Sequence, residues 1–321
     1  MKGFCMKIID ETIHPPKGGC VLTIGNFDGV HIGHQALLRA TVNKAEELGL
    51  PSLVWSFKQH PWGIMGDGSF KYILSTEDKI KQIGLYGADY YFGADFLSYR
   101  EMSAEQFVKD VLIDRLEVKH LLCGFDFSFG KGGKGTPALL KALLGDYGVE
   151  VTVLPEVVYG GVTVSSTRIR SLIDKGDMAT VAKLLGRYYS FNLPVMRGRC
   201  VGRTLGAPTI NQVFPSDRAL PSFGVYAVFC EIEGKMYKGA ANIGVRPTIT
   251  GGVGVPVSET HILDFNGDLY GKYVRVHLYK QLRGEIRFSS MLSLSEQIAR
   301  DAALAGGILA SAKPPKGEND A

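Results

Sequence analysis

The first half of the chain alternates short apolar runs with segments of helical periodicity, and this alternation limits the folds open to it. The apolar runs, each long enough for one strand, are VLTI, SLVWSF, DYYF, HLLCG and VEVTVL. Between them, helical spacing from His34 to Leu48 and capping residues at Ser75, Ser103 and Thr136 predict helices. This order predicts a Rossmann-like α/β domain with a parallel sheet covered by helices on both faces.

The pattern changes after about residue 188, where runs of alternating hydrophobicity are separated by turn residues. Glu233-Gly234 and Asn266-Gly267 each stand between two such runs, and each predicts a hairpin. Ser293, with Glu296 three residues later, forms a capping box that predicts a terminal helix beginning at Ser293. Several antiparallel strands followed by one helix predict a small antiparallel barrel. We therefore expect two domains, residues 1–187 and 188–310, and a polar, disordered tail over residues 311–321.

Composition narrows the class of partner. The chain of 321 residues is 45 % hydrophobic, with a net charge of +4 and without a cluster of lysine and arginine, so we expect small-molecule partners and no nucleic acid. Its five cysteines are scattered and form no C-x-x-C pair, which argues against a disulfide framework or a structural zinc site. We see no signal peptide and no apolar stretch that could span a membrane, and we expect a cytoplasmic protein without a membrane partner.

The stretch GNFDGVHIGH, residues 25–34, lies between the first predicted strand and helix. Ligands of open α/β sheets bind beyond the carboxyl ends of the strands, where helix N-termini favour phosphate. His31 and His34 are three residues apart and can donate hydrogen bonds to a developing negative charge. An alternative is that they bind a metal with Asp28, or that they are merely capping and surface residues. Three glycines permit a sharp turn close to a ligand: Gly25, Gly29 and Gly33.

A second stretch, SSTRIR at residues 165–170, opens a helix. Hydroxyls and backbone amides at a helix start suit phosphate oxygens, and Arg170 adds positive charge. By itself this pattern is equally typical of an ordinary capped helix. Taken together, the two stretches resemble the G-x-F-D-x-x-H-x-G-H and S-S-T-x-x-R signatures of the adenylyl- and cytidylyltransferase superfamily.

Residues 124–136 carry a third stretch, GFDFSFGKGGKGT. Asp126 stands just past a predicted strand among phenylalanines, which can hold a flat heterocycle or can simply belong to the core. The GKGGKGT part is not a Walker A loop, because glycine follows each Gly-Lys where serine or threonine is needed.

The second half carries GRCVGRTLGAPTINQ at residues 198–212 and SETHILDF at residues 258–265. Thr209 and Asn211 are two residues apart, so on a strand they share one face, and their oxygens suit Mg²⁺ with a nucleotide. Glu259 and His261 share a strand face in the same way. By itself this pattern favours two ordinary exposed polar residues.

The chain from about residue 20 to residue 305 resembles the bacterial bifunctional riboflavin kinase/FMN adenylyltransferase family, also called FAD synthetases. The resemblance rests on the order of the stretches above together with His60-Pro61, ANIGVRPT, DLYGKYVRV and LRGEIRF. It implies that the barrel phosphorylates riboflavin with ATP and that the N-terminal domain adenylylates FMN with a second ATP. It implies Mg²⁺ as the cofactor of both reactions, with ATP, riboflavin, FMN and FAD as substrates or products.

The resemblance also implies roles for individual residues. In the N-terminal domain His31 and His34 would be catalytic, and ATP would contact a larger set: Gly25, Asn26, Phe27, Asp28, Ser166, Thr167 and Arg170. Asp126 and Phe127 would bind flavin there. In the barrel Glu259 would be the general base, and the flavin would lie near Arg283 and Glu285. Thr209 and Asn211 would hold Mg²⁺ with ATP, beneath a flap that contains Gly202 and Arg203.

Some positions depart from the family pattern. Ala207 replaces a phenylalanine, Ile210 replaces a small residue, and Arg197 precedes Gly198 where the family has histidine. Loss of an aromatic ring beside a nucleotide weakens binding by about 1–2 kcal/mol. The alternatives are therefore an FMN adenylyltransferase with an impaired kinase domain, a non-catalytic flavin-binding regulator, and another nucleotidyltransferase of the superfamily.

Overall fold

The computed structural model describes residues 6–12, 18–197, 208–246 and 254–315. The chain divides into two compact units, residues 1–166 and 167–321, and each is built around one six-stranded sheet. Within the described ranges, none of the helices is both long enough and apolar enough to cross a bilayer.

The sheet of the first unit is parallel throughout, as predicted. In space its strands run in the order β1-β4-β3-β2-β5-β6. Every residue of the second strand in the chain is buried, because strands lie on both sides of it and helices cover the sheet. The six strands are β1 (Lys7–Ile9), β2 (Cys20–Ile24), β3 (Ser52–Phe57), β4 (Tyr90–Ala94), β5 (Val118–Gly124) and β6 (Glu150–Leu154). A short hairpin, β7 (Val158–Tyr159) and β8 (Val162–Thr163), follows them.

Three helices of the first unit begin at their predicted caps, Ser75, Ser103 and Thr136. Ser75 Oγ accepts a hydrogen bond from Asp78 N–H at 3.1 Å, and Ser103 with Gln106 forms a complete capping box. The helices are α1 (Ile32–Leu48), α2 (Pro61–Met65), α3 (Thr76–Gly84), α4 (Phe96–Tyr99), α5 (Ala104–Gln106) and α6 (Pro137–Gly145). A π-helical segment, Phe107–Ile113, continues α5. The first helix begins two residues before His34, because His31 is its N-cap.

The core of the first unit lies between the sheet and the helices. Leu22, Leu53, Phe92 and Leu121 are fully buried on adjacent strands. Trp55 packs edge-on against two rings from the helical layer, those of Tyr99 and Phe107. This packing fixes the strand ends from which the first site is built.

The sheet of the second unit is antiparallel and curls into a half-barrel, which confirms the predicted architecture. Its strand order is β10-β13-β12-β11-β14-β9. The two outer strands approach each other where Met196 N–H donates to Asn211 O at 2.7 Å. The strands are β9 (Tyr189–Pro194), β10 (Thr209–Val213), β11 (Gly224–Ile232), β12 (Lys235–Arg246), β13 (Val255–Ile262) and β14 (Tyr273–Gly284). The helices are α7 (Ser166–Asp174), which begins at the unit boundary, α8 (Met178–Leu185) and α9 (Met291–Ala310).

One predicted hairpin is confirmed and the other is wrong. Glu233-Gly234 joins β11 to β12, and both residues have positive φ. Asn266-Gly267 does not join paired strands, because β13 is already hydrogen-bonded to β10 on one side and to β12 on the other. The following strand, β14, pairs instead with β11 and β9. A competing long-range pairing therefore overrides the local turn signal.

The predicted start of the terminal helix is also wrong, by three residues. Ser290 is the N-cap, and its Oγ accepts a hydrogen bond from Ser293 N–H at 3.1 Å. Ser293 completes the capping box from inside the helix. Leu294 and Ile298 of this helix line a cavity of the second unit.

Candidate active sites

The stretch GNFDGVHIGH forms the connection between β2 and α1, at the carboxyl end of a central strand. Phe27 and Val30 have φ values of 52° and 40°, so two residues with side chains adopt left-handed backbone conformations. The buried carboxylate of Asp28 accepts hydrogen bonds from Ile73 N–H at 3.0 Å and Leu74 N–H at 3.4 Å. Asp28 therefore fastens this turn to the segment that precedes α3.

The two histidines of the stretch are in direct contact. His31 is the N-cap of α1, and its Nδ1 accepts a hydrogen bond from His34 N–H at 3.3 Å. Because Nδ1 is an acceptor, a neutral His31 carries its proton on Nε2. Burial lowers the pKa of His34 well below its ordinary value, and nearby His31 and Lys79 lower it further. His34 is therefore a neutral hydrogen-bonding group near pH 7.

A buried lysine that sequence reasoning missed lies beside this turn. Lys79 Nζ donates to Phe57 O at 2.7 Å and to Ser56 Oγ at 3.2 Å, and Ser56 Oγ donates to Asn26 O at 3.2 Å. Burial lowers the pKa of Lys79 to about 8, while Asp28 acts in the opposite direction. The sequence could have indicated this burial, because Lys79 stands four residues before the apolar Ile83 and therefore on the same face of α3.

A small cleft of the first unit is lined by several of these side chains. Asn26 and Asp28 contribute from the turn, Lys79 from α3, and His60 and Tyr72 from the segments between β3 and α3. Sequence reasoning did not expect Tyr72, whose hydroxyl accepts a hydrogen bond from His60 N–H at 3.2 Å. The cleft places an amide, a carboxylate and a cation together at the strand ends.

The SSTRIR stretch reaches the same turn through its first helical residue. Ser166 Oγ donates to Asp28 O at 2.7 Å. Thr167 lies on the first turn of α7 and Arg170 follows on the next turn, where its Nη2 donates to Thr167 Oγ1 at 3.3 Å; both belong to the second unit. Gly25, at the start of the turn, donates its N–H to Trp55 O at 3.1 Å.

The aromatic stretch after β5 divides between surface and core. Phe129 is buried in the core of the first unit, Phe127 stacks on it with ring centroids 5.7 Å apart, and Phe125 is 47 % exposed. Asp126, predicted to bind flavin, is exposed. The core interpretation therefore holds for Phe129, while Asp126 and Phe127 remain predictions.

The metal interpretation of the histidine turn has no support in the structure. No group of three or more His, Cys, Asp or Glu side chains suited to a metal ion occurs in the described part of the chain. His31, His34 and Asp28 all belong to that part. The Asp28 carboxylate already accepts hydrogen bonds from two backbone amides.

The second unit contains a cavity of about 430 Å³ between one face of the half-barrel sheet and α9. Thr209, Glu259 and His261 line it, and the sheet register explains why they meet there. Thr209 pairs with His261 on β13, and Glu259 pairs with Asn211 on one side and with Asn242 on the other. Residues directly opposite each other in antiparallel strands point to the same face. Three strands thus place a hydroxyl, two amides and a carboxylate side by side.

One guanidinium connects two of these side chains. Arg246, at the end of β12, donates from Nη2 to Glu259 Oε1 at 2.9 Å and, through the same nitrogen, to Asn211 Oδ1. Sequence reasoning did not assign Arg246, although it stands four residues after Asn242 and therefore on the same strand face. His261 Nδ1 is hydrogen-bonded to Pro208 O at 3.0 Å.

The opposite wall of the cavity joins β14 to α9. Arg283 Nη2 donates to the buried Asp301 Oδ2 at 2.7 Å, Arg283 Nε contacts both carboxylate oxygens at 3.1 Å, and Gln297 Nε2 donates to Oδ1 at 2.9 Å. Glu285 lies against Gly244, where an added Cβ would collide with Glu285 Oε1. Sequence reasoning named Arg283 and Glu285 but missed Asp301, the partner that holds Arg283.

The oxygen set on this face suits Mg²⁺. The hydroxyl of Thr209 and the amide oxygen of Asn211 stand on adjacent positions of one strand face, next to the carboxylate of Glu259. These are hard donors, the type that Mg²⁺ prefers together with substrate phosphates. Gly202 and Arg203, predicted for the flap, lie outside the described residues, as do Gly198 and Ala207.

Comparison with known proteins assigns both units. Residues 13–168 match the family model for FAD synthetase, and residues 185–309 match the family model for riboflavin kinase. A crystal structure described as a macrolide-efflux protein from Streptococcus pneumoniae has the same fold, with a TM-score of 0.83 at 30 % identity, covering 92 % of this chain and 97 % of that one. The chain is thus a two-domain flavin nucleotide synthetase by class.

Full-length relatives define the family more narrowly. The bifunctional riboflavin kinase/FMN adenylyltransferase of Escherichia coli (strain K12) is 38 % identical over 305 residues, which cover 93 % of this chain and 96 % of the relative. The protein of the same name from Bacillus subtilis (strain 168) is 35 % identical over 285 residues, 88 % of this chain and 90 % of the relative. The chain belongs to the bifunctional riboflavin kinase/FMN adenylyltransferase family.

Proposed function

We propose that the protein phosphorylates riboflavin to FMN with one ATP and transfers AMP from a second ATP to FMN, giving FAD and pyrophosphate. The observation that carries this proposal is the presence, in one chain, of both family domains, each with its own polar site: a cleft at the strand ends of the first unit and a cavity against the sheet of the second. Residues 1–187 would carry the adenylyltransferase and residues 188–310 the kinase.

In the kinase reaction Glu259 would act as the general base. It would accept the proton of the ribityl 5′-hydroxyl as that oxygen attacks the γ-phosphorus of ATP, and ADP would leave. Thr209 and Asn211 would hold Mg²⁺, which supplies charge neutralisation to the phosphates when bound. A positioned base of this kind contributes about 10²–10⁴-fold to rate. Arg283 and Glu285 would contact the flavin from the opposite wall.

In the adenylyltransferase reaction the protein would mainly position phosphates and stabilise charge. The FMN phosphate attacks the α-phosphorus of ATP, and pyrophosphate leaves. His31 and His34 would donate hydrogen bonds to the α-phosphate, because both are at the start of α1, where the helix dipole also favours negative charge. ATP would contact a larger set: Gly25, Asn26, Phe27, Asp28, Ser166, Thr167 and Arg170. Asp126 and Phe127 would contact the flavin.

The alternative of an impaired kinase receives no support from Ile210, one of the two departures that the structure describes; the other, Arg197, lies over the Tyr270 ring. Ile210 pairs with Thr260, so its side chain lies on the strand face opposite to Thr209 and Asn211. The larger side chain therefore does not lie on the face that carries Thr209 and Asn211. The relatives that match nearly the whole chain are named as bifunctional enzymes.

The chemistry proposed here needs only small-molecule partners in a reducing compartment, the cytoplasm. Within the described residues, Cys20, Cys123 and Cys230 are free and buried, which fits this compartment. No nucleic-acid or membrane partner is required.

The test is a product analysis with the full chain. Riboflavin, excess ATP and Mg²⁺ are incubated with wild type, His31→Ala and Glu259→Gln, and the flavins are separated by chromatography. We expect FAD from wild type, FMN alone from His31→Ala, and FAD from Glu259→Gln only when FMN is supplied. If wild type converts FMN but leaves riboflavin unchanged, the kinase half of the proposal is overturned.

A further inference from the structure

The geometry around Arg246 differs from that of an ordinary surface ion pair. One nitrogen, Nη2, contacts both Glu259 Oε1 and Asn211 Oδ1, so the guanidinium bridges β13 and β10. The Arg246 side chain is partly buried, with 27 % of it exposed. An exposed ion pair would do little to fix the side-chain conformation of either partner. A bridge between neighbouring strands restricts the rotamers of both side chains that it contacts, Glu259 and Asn211.

The strand arrangement makes room for this bridge. Asn242, Gly244 and Arg246 alternate along one face of β12, and Glu259 lies opposite Asn242. Gly244 has no side chain, so the Arg246 side chain can extend back along the strand toward Glu259. The same glycine leaves room for Glu285.

The ion pair of the wall residue Glu259 also singles out Arg246. Glu259, Glu285 and Asp301 line the cavity together with Arg283 and Arg287, and Arg283 is held by Asp301. Arg246 is the cation that contacts Glu259 among the ion pairs found in the described residues. It therefore compensates the charge of the carboxylate that the proposed kinase mechanism uses as a base.

We propose that Arg246 is a positioning residue of the kinase site, which fixes the Glu259 carboxylate relative to Asn211. This inference rests on the proposed function, because it takes Glu259 as the base. Arg246 holds Oε1 in place and leaves Oε2 as the oxygen that takes the hydroxyl proton. A displacement of about 1 Å of a reacting group can lower a rate about 10²-fold.

The experiment compares Arg246→Gln and Arg246→Lys with wild type in the riboflavin-to-FMN reaction, measuring kcat and KM for both substrates. We expect Arg246→Gln to lower kcat about 10- to 100-fold with KM values within about threefold of wild type. Arg246→Lys is expected to restore part of kcat, because a single nitrogen makes both contacts. FMN-to-FAD conversion by the same preparations reports that the chain is folded. Arg300→Gln, which removes an exposed arginine of α9, is the matched control and is expected to leave kcat unchanged.

A double substitution separates positioning from a merely structural role. In the Glu259→Gln background, Arg246→Gln is expected to lower the remaining rate less than about threefold, because its effect acts through the carboxylate. A further tenfold loss in that background would overturn the proposal, and so would an unchanged kcat in the single variant.

A binding measurement provides a readout that does not depend on turnover. Calorimetric titration with ADP and Mg²⁺ is expected to give the same affinity in wild type and Arg246→Gln within about threefold, since a positioning residue acts on kcat. Any heat from nucleotide binding to the first unit is the same in wild type and in Arg246→Gln. A larger loss of affinity would assign Arg246 to nucleotide binding and overturn the positioning role. Failure of the proposed function would be seen separately, as a wild type that makes no FMN.

Discussion

The imidazole rings of His31 and His34 are stacked, with centroids 3.6 Å apart and planes inclined by 16°. Two imidazolium cations at this separation would repel each other, so the stack favours neutral rings. The Nδ1 of His34 is buried and finds no hydrogen-bond partner among the described residues. The pair is therefore a set of fixed neutral donors at a helix start.

The first prediction concerns the activity of this pair. We expect His31→Ala and His34→Gln each to lower FMN-to-FAD conversion about 10²–10³-fold, because each removes a group aimed at developing phosphate charge. Riboflavin-to-FMN conversion should stay within about twofold of wild type. His120→Gln is the matched control, since His120 lies on β5 and its Nε2 is hydrogen-bonded to Thr152 Oγ1. An equal loss of both activities would indicate misfolding instead of a catalytic role.

The second prediction concerns acid stability. Because the pKa of His34 is lowered by folding, the unfolded chain binds a proton near pH 6.5 that the folded chain does not. The free energy of unfolding should therefore fall as the pH is lowered from 7.5 to 5.5, and it should fall less in His34→Gln. Urea unfolding followed by tryptophan fluorescence measures this, since the chain has two tryptophans, Trp55 and Trp62, both in the first unit. Equal slopes in the two chains would contradict the prediction.

The third prediction concerns the buried lysine at high pH. The pKa of Lys79 is about 8 in the folded chain against an ordinary value of 10.5, so between these values only the unfolded chain retains the proton. Wild type should therefore gain stability relative to Lys79→Met by about 1–3 kcal/mol as the pH rises from 7.5 to 10. The difference between the two urea midpoints, followed by the same tryptophans, measures it. Lys81→Met, at an exposed position of α3, should show no such trend.

The fourth prediction concerns the wall formed by Arg283 and Asp301. Asp301→Asn should lower the free energy of unfolding of the second unit by about 2 kcal/mol, because a buried ion pair loses one charge. It should also raise KM for riboflavin, since Arg283 lines the cavity. Scanning calorimetry and kinase kinetics measure the two effects. Glu296→Gln is the control, because its ion pair with Arg300 is exposed. A normal KM in a destabilised Asp301→Asn would limit Asp301 to a structural role.

Much of the fold was predictable from local patterns. The parallel strands, the caps at Ser75, Ser103 and Thr136, and the Glu233-Gly234 hairpin all depend on residues close in sequence. The Asn266-Gly267 hairpin was not predictable in this way, because whether β13 has a free edge depends on β10 and β12. Turn residues favour a hairpin, but the hairpin forms only if both strands have a free edge in the sheet.

The residues of the candidate sites were likewise predictable where local spacing identifies them and not where distant segments do. Glu259, Thr209 and Asn211 were identified because motif spacing places them on strand faces, and the register then brought them together. Lys79 and Asp301 were missed because their importance comes from burial against distant segments, which no local spacing records. A lone charged residue on the apolar face of a helix is the signal that could have found both.

The left-handed conformation of Val30 gives the first unit a temperature dependence of its own. A backbone of this kind costs about 1–3 kcal/mol, and here it is maintained by the complete burial of the valine side chain and by a hydrogen bond from Gln35 Nε2 to Val30 O at 2.9 Å. Burial of apolar groups weakens on cooling. The turn that carries the two histidines should therefore loosen in the cold, which would lower adenylyl transfer at low temperature.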